Sequence, residues 1–573
     1  MLRYKSNIPR NIFHNSEYKH YIVQYQGQIN DEALQKEGYY IVIVNDKYAI
    51  ISTKKDKKIN IDDVLFSEIV YIKGTETYTL EEISPIEASQ VRSLQINLPL
   101  QLTGKNVFVG IIDTGIDYLS DEFMTLDGET RIECIWDQTI ITDKEDEIRL
   151  VPYGAFYTKE KINKAIKSYN EGKSPYDIVS SIDEIGHGTS MAGLIGATGK
   201  NPELKGVAPD CKFAVVKLIE DYSNKATFDA KIPVYNITSI FSALEFLYEY
   251  ALKKSEPMVI YLPLGSNSGN HRGNGILAEY IESISNSRGI VVVTGAGNER
   301  ARGGHASGSI LNAGESRSIE LNVSPDQKYL WAEIWVAPPN IMTVDIVSPS
   351  GENTGVIPAI INLSEDYNFI FEKTSVKITF YIPEVNTGDE LIRIDFFNLQ
   401  PGIWKIKLIA NMVLDGAYDI WIPQYGLSIG DTSLSPSDPF GTFTNPGGAI
   451  SVITVAAYNQ NNNNIVNYSG MSFLDDYIDR VDIAAGGVNA LTVAPNNKTK
   501  IVNGTSVAAA VVAGTCAILF EWGIIEGNDP YMYSQTMKTY LTRGTRKRPG
   551  DTYPNPQWGF GILDVLGIFS NMT

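Results

Sequence analysis

Between Asn503 and Gly514 the chain reads Asn-Gly-Thr-Ser-Val-Ala-Ala-Ala-Val-Val-Ala-Gly. A helix of this kind is apolar on every face, so only the interior of a large domain can satisfy it. Gly504 turns the chain and delivers Thr505 and Ser506 to the helix N-terminus. Unpaired N–H groups and the helix dipole favour developing negative charge at that end. Such a position suits a nucleophile and half of an oxyanion hole. Serine and threonine are also preferred helix caps. On this stretch alone a capping role and a catalytic role both stand open.

At 573 residues, with 43% apolar side chains, the chain has material for roughly three to four domains of ~100–200 residues. Its 48 basic and 67 acidic residues give a net charge of −19. That excludes the basic surface a nucleic-acid partner needs. Cys134, Cys211 and Cys516 form no CxxC pair and are odd in number, so neither a disulfide framework nor a metal site is indicated. The first ten residues lack the apolar core of a secretory signal. No run approaches about 18 consecutive apolar residues. These features predict an intracellular chain without a membrane span.

Residues 1–96 read as a small mixed α+β unit. Strands are expected over Tyr39–Ile51 and Glu68–Lys73, a helix starts near Asn60–Val64, and Glu81–Ser93 reads as a linker. After residue 105 continuous apolar runs alternate with helical patterns. Val107–Ile112, Lys212–Leu218, Met258–Leu264 and Ile290–Thr294 read as strands covered on both faces. Thr238 is placed to cap a helix bearing Ile240, Leu244, Leu247 and Ala251 on one face, and Leu277, Ile281 and Ile284 mark another. The alternation describes an α/β domain with a mostly parallel sheet. It stops near Gly314. From there to Gln424 short strand-like runs such as Trp331–Val336, Val376–Tyr381 and Ile403–Ile409 are separated by turns, as in an antiparallel sandwich. Ser451–Ala457 and Val481–Ala485 resume the parallel pattern ahead of Ser506.

A serine nucleophile needs a base, and the base needs an orienting group. Of the five histidines, His14 and His20 lie in the small first unit, and His271 and His305 lie in Gly/Ser/Asn-rich stretches that read as loops. His187 opens a small-residue helix in Gly186-His187-Gly188-Thr189-Ser190. Asp113 ends the first parallel strand, where α/β sheets place their sites; Asp117 nearby reads as a turn residue. Asn298 ends another strand in Gly295-Ala296-Gly297-Asn298, where its amide can complete an oxyanion hole with the Ser506 N–H. Gly295-Ala296-Gly297 as a dinucleotide fingerprint fails at the third glycine, where Arg300 stands.

Asp-Thr-Gly, His-Gly-Thr, Gly-Asn and Gly-Thr-Ser in this order, with Trp558-Gly559-Phe560-Gly561 near the end, resemble the subtilisin-like serine proteases over 97–308 and 440–573. The resemblance implies a subtilisin-like three-layer fold. It implies that Ser506 attacks, that His187 transfers the proton, and that Asp113 orients the imidazole. It also implies that Asn298 binds the oxyanion, and that Leu264, Gly265 and Gly297 line the substrate cleft, where an extended substrate adds a strand. This chain departs from the family at Ala510 (usually proline), Ser190 (usually histidine) and Pro263 (usually serine), the last having no N–H to donate. Lys200 stands where a calcium ligand is common, so no metal and no cofactor is expected.

The long Asp113–His187 spacing places an inserted segment over 130–178, and the Asn298–Ser506 gap accommodates the sandwich. With the leading unit, this organisation resembles the clostridial Csp germination proteases. That likeness implies a prodomain at 1–96 acting in cis as chaperone and inhibitor, a catalytic domain over 97–308 and 440–573, and an inserted β-sandwich or jelly roll over 309–439. It implies a protein substrate, the pro-form of a spore cortex-hydrolysing enzyme. The stretch Val91–Asn97 reads as extended and placed for self-cleavage, expected after Gln95 or at a neighbour on either side. The rival reading is a catalytically silent subtilase-fold protein that binds a partner or signal.

Overall fold

The computed structural model describes residues 8–9, 12–15, 17–73, 84–96, 100–142, 144–148, 150–476 and 480–571. The chain divides into two compact units, Met1–Glu82 and Ile83–Thr573. The expected boundary at 96 is therefore too late, because Ser84–Ile96 belongs to the larger unit. There the short helices Pro85–Ala88 and Arg92–Ile96 bury Ile86, Val91 and Leu94 in the main core.

The smaller unit is a four-stranded antiparallel sheet in the order Tyr40–Ile43, Tyr48–Lys54, Tyr18–Tyr25, Ile69–Lys73. The expected strand Tyr39–Ile51 is thus a hairpin of two. Val23, Leu34, Ile41, Ala49, Ile51 and Phe66 form its own core. The helix expected at Asn60–Val64 is one 3-10 turn, Val64–Phe66, capped by the Asp63 side chain.

A nine-stranded sheet organises the larger unit. Its order is Asn464–Ile465, Val452–Asn459, Ile290–Gly295, Met258–Tyr261, Phe108–Asp113, Lys212–Lys217, Ile132–Asp137, Ala155–Thr158, with Ile483–Gly486 also paired to Val452–Asn459. Pairings are parallel except at the two outermost strands. The apolar runs are continuous because both faces are covered, and side chains alternate between them. Val109, Ile111, Val215, Val259, Tyr261, Val291 and Val293 face the helices His187–Gly196 and Thr505–Phe520. Phe108, Ile112, Val216, Ile260 and Val292 face Ile237–Lys254 and Ile276–Ser285. Asn236, not Thr238, caps the first of that pair, its side chain accepting from the Thr238 N–H. Burying each Val, Leu or Ile contributes about 1.5–3 kcal/mol, so these two interfaces carry the fold.

The helix Thr505–Phe520 runs on through a π-helical turn to Ile525. Contrary to the sequence expectation, Thr505–Ile525 is long and apolar enough to cross a membrane by length and composition. Most of it is buried inside the fold. Small residues let neighbours close on it: a side chain at Gly514 would collide with Val207 and the Ile195 carbonyl.

The antiparallel region runs from His305 to Ser435, starting a little before the expected 309. One sheet has the order His305–Ser309, Ala417–Trp421, Tyr329–Val336, Glu390–Phe397, Ser375–Tyr381, Ser364–Asn368. The other has Ile341–Val347, Gly402–Met412, Ser316–Val323, Ser433–Ser435. Alternate residues, among them Ile334, Ile346, Ile394, Trp404 and Ile406, fill the space between them. Where this insertion meets the α/β layers, Trp421 is held between two imidazoles. The His271 ring stacks at 4.4 Å and the His305 ring at 4.6 Å. Neither is a loop histidine in solvent: His271 is fully buried, its ring nitrogens 2.6 Å from the Phe443 carbonyl and 3.0 Å from the Asn267 carbonyl.

Candidate active site

Asp113 occupies the carboxyl end of a strand in the middle of the parallel sheet. Its carboxylate is buried and its two oxygens lie 2.9 and 2.8 Å from His187 Nδ1. The Thr114 N–H also donates to Asp113, at 2.6 Å. His187 begins its helix, and the start of that helix is pinned to the Asp113 turn. A Cβ on Gly188 would collide with the Gly115 carbonyl, so only glycine lets the two segments meet.

Asp183 acts as the hub of this turn. It accepts from Thr114 Oγ1 at 2.7 Å, from the Gly186 N–H at 2.8 Å, and from the N–H and hydroxyl of Thr189. The Gly188 N–H in turn donates to Thr114 Oγ1. Two buried side chains that sequence reasoning passed over, Thr114 and Asp183, thus fix His187 relative to Asp113. The available signal was an aspartate four residues before His187, in a segment with no other reason to bury a charge.

The His187 side chain is partly exposed. Burial alone pulls its pKa down, but the charge of Asp113 and their hydrogen bond outweigh burial, leaving the pKa raised from the ordinary histidine value. Lys500, which donates to the Gly186 carbonyl, opposes that rise. A neutral His187 with Nδ1–H directed at Asp113 leaves Nε2 free to accept a proton.

Ser506 lies in the first turn of its helix, partly exposed. Asn298 extends from the end of the Ile290–Gly295 strand, and its Oδ1 accepts from both the N–H and the hydroxyl of Thr505 at 3.2 Å. With the oxygen so engaged, the amide NH₂ is left to donate. Gly504 lies between, at φ +140°. A Cβ there would lie 3.8 Å from the Ser506 nitrogen and 3.9 Å from both Nδ2 and Oδ1 of Asn298. The Ser506 N–H and the Asn298 side-chain amide thus border one space, an arrangement that suits an oxyanion hole.

Tyr261 is the other residue missed, reading as one more apolar position in a strand. Fully buried, it donates its hydroxyl to the Ser506 carbonyl at 2.8 Å. Its partner across the sheet is Ile111, two residues before Asp113. Tyr261 therefore ties the Ser506 backbone to the strand pair carrying Asp113. At Ala510 the helical ladder offers the Ser506 carbonyl an N–H that proline would withhold.

Of the three residues expected to line a substrate cleft, two come together and Leu264 does not. Gly265 and Gly297 both pack on Thr444, leaving no room for a side chain at either. Leu264 packs at the edge of the apolar layer on the far face of the sheet. Ser190 is buried and donates to the Gly186 and Val493 carbonyls. Asp117 is a turn residue, accepting from the Leu119 and Asn496 N–H groups. The Lys200 ammonium lies 3.3 Å from Asp121, and Glu122 accepts the Gly199 and Asn201 N–H groups. Among the described residues no cluster of His, Cys, Asp and Glu has the makeup of a metal site.

Gln95 is a further exception. It lies in the helix Arg92–Ile96, 8% exposed, and its amide donates to the Gly206 and Val207 carbonyls at 3.0 and 2.8 Å. The bond after Gln95 lies at the end of that short helix and leads to Ile96, which is exposed. The extended conformation expected for Val91–Asn97 is replaced by a helix over Arg92–Ile96.

Residues 104–353 and 427–561, more than half of the chain, match the subtilase family. The fold is similar to that of the Clostridium perfringens CspB protease, with a TM-score of 0.75 and 30% sequence identity, covering 84% of this chain and 98% of that one. The sequence is similar to the PII-type proteinase of Lacticaseibacillus paracasei, 22% identical over 559 residues. It is equally similar to the PI-type proteinase of Lactococcus lactis subsp. cremoris, 22% identical over 561 residues. Each alignment covers 87% of this chain and 27% of the relative, so the chain spans about a quarter of the length of these curated relatives. With the Asp113–His187 pair, Ser506 and Asn298 assembled on a parallel sheet, the chain belongs to the subtilase family of serine proteases.

Proposed function

We propose that the chain is a serine endopeptidase made as a zymogen, which frees itself by cutting between its two units. One observation carries the chemistry. Asp113 orients His187, while Asn298 and the Ser506 N–H border one space. In that arrangement His187 Nε2 removes the Ser506 hydroxyl proton as Oγ attacks the scissile carbonyl. The two N–H donors hold the oxyanion, and the imidazolium returns the proton to the leaving amine. The acyl-enzyme is then hydrolysed by water through the same groups.

Met1–Glu82 is read as the prodomain, acting in cis as chaperone and inhibitor. The cut is assigned to the connection after Lys73 and before Ser84, outside the described residues. Cleavage there leaves Ser84–Ile96 in place as part of the catalytic fold. The substrate is a protein. Likeness to the clostridial Csp proteases, in fold and in the order of motifs, supports the pro-form of a spore cortex-hydrolysing enzyme, met inside the spore during germination.

Wild type and Ser506→Ala test this directly. Two fragments from wild type, with the larger beginning at or before Ser84, and one intact chain from the variant are expected. If both stay intact, self-cleavage is refuted; if both are cut alike, a host protease is responsible. Labelling of Ser506 by a fluorophosphonate probe tests the nucleophile independently of processing.

A further inference from the structure

Asp113 ends the strand that lies between Met258–Tyr261 and Lys212–Lys217. The loops that follow those two neighbours therefore flank the catalytic acid on either side. A turn of the inserted sandwich, Pro423–Leu427, touches both. Gly426 lies against Ile232, in the connection that runs from Lys212–Lys217 through the helix Tyr222–Phe228 to Ile237–Lys254. Gln424 reaches the loop after Met258–Tyr261. The same turn meets the loop after Ile290–Gly295, where the Tyr425 N–H donates to Glu299 and Arg302 lies 3.7 Å over the Tyr425 ring.

The contact of Gln424 has a definite pattern. Its Nε2 donates to the Gly265 carbonyl and its Oε1 accepts from the Asn267 N–H, both at 3.3 Å. A carbonyl at one residue and an N–H two residues on is the pair that a parallel strand engages when it joins a sheet edge. The Gln424 side-chain amide thus stands where a peptide unit would stand. On its other edge Ser266 pairs with Asn445, its N–H donating to the Asn445 carbonyl and its carbonyl accepting in return. Further back, Pro263 has no N–H to offer. The edge open to an extended substrate is short, and it ends at Gln424.

We propose that Gln424 is a specificity-determining residue that terminates the substrate-pairing edge, so that main-chain recognition on the acyl side extends over only the few residues nearest the scissile bond. The inference rests on the endopeptidase reading. A segment pairing beyond Gly265 must displace Gln424 and then meets the Tyr425–Arg302 wall. Unfolded polypeptides, which are bound by many successive backbone pairings, gain nothing from their length. The enzyme is thereby limited to a bond displayed on a short exposed segment.

Random-sequence peptidyl-coumarin libraries with three and with six residues before the fluorophore test this. For wild type the two libraries are expected to give kcat/KM values within about twofold. Gln424→Ala should raise the six-residue value about tenfold while leaving the three-residue value unchanged, and Gln424→Glu, which keeps the acceptor but loses the donor, should do the same more weakly. Fluorophosphonate labelling of Ser506 is run on all three proteins. A labelled wild type that already prefers the longer library tenfold overturns the proposal. So do labelled variants with the wild-type ratio, or labelled proteins that cleave neither library. Absence of labelling in wild type counts instead against the endopeptidase reading.

Discussion

At His187 two influences oppose each other. Burial disfavours the imidazolium, while Asp113 favours it more strongly. The base must be neutral to act, so activity falls as pH drops through that raised pKa, and the acidic limb of kcat/KM is expected above the ordinary histidine value of about 6.5. Asp113→Asn removes the opposing charge and leaves burial. A pH–rate profile should show the limb moved to lower pH and kcat reduced by about 10⁴. Tyr261→Phe keeps the ring and removes only the hydroxyl bonded to the Ser506 carbonyl. Stability should fall by about 1 kcal/mol in a denaturant titration. Steady-state kinetics should show a several-fold loss in kcat with KM unchanged, because the nucleophile is less well held while the cleft is untouched. Asp113, His187, Asn298 and Ser506 are legible in the sequence because each stands where an apolar strand or helix abruptly gives way to glycine and a polar side chain. Tyr261 is not, since a tyrosine within an apolar run looks the same whether its hydroxyl meets water or a buried carbonyl.

Among the elements, the strand Glu390–Phe397 of the insertion carries an unusual buried acid. One oxygen of Glu390 accepts from the Met342 N–H at 2.7 Å, while the other is buried without a partner among the described residues. Burial pushes its pKa up to about 8. Below the ordinary glutamate range the group is protonated in both folded and unfolded chains. As pH rises past that range the unfolded chain releases its proton and the folded one does not, so the unfolded state binds fewer protons and stability falls until about pH 8, where it levels. Thermal unfolding of Glu390→Gln should lack this decline between pH 5 and 8. The helices Pro85–Ala88 and Arg92–Ile96 show why element boundaries were partly illegible. Their polar residues look like a linker, yet Arg92 and Gln95 are polar in order to satisfy the carbonyls of Lys205, Gly206 and Val207. Hydrogen bonding across more than a hundred residues of chain leaves no local periodicity to read.

For the whole molecule, the position along the chain where the first unit ends and the second begins is the feature that composition concealed most. Parallel-sheet alternation made the α/β layers readable, and its interruption located the insertion. Nothing local distinguishes a tail leading into the catalytic fold from a piece of that fold. A chain beginning at residue 97 loses the buried Ile86, Val91 and Leu94, and the N–H of Val565 loses its partner, the Ser89 carbonyl. At about 1.5–3 kcal/mol for each apolar side chain, the shortened protein should be insoluble or unfolded by circular dichroism, whereas one beginning at Ser84 keeps these contacts. The stacking of Trp421 between His271 and His305 has an optical consequence. An indole covered on both faces by rings from the two halves of the large unit is shielded from water, so its fluorescence is blue while the insertion is seated and reddens when it lifts away. With the other six tryptophans replaced by phenylalanine, Trp421 becomes a built-in gauge of whether the sandwich is docked while a substrate is being cut.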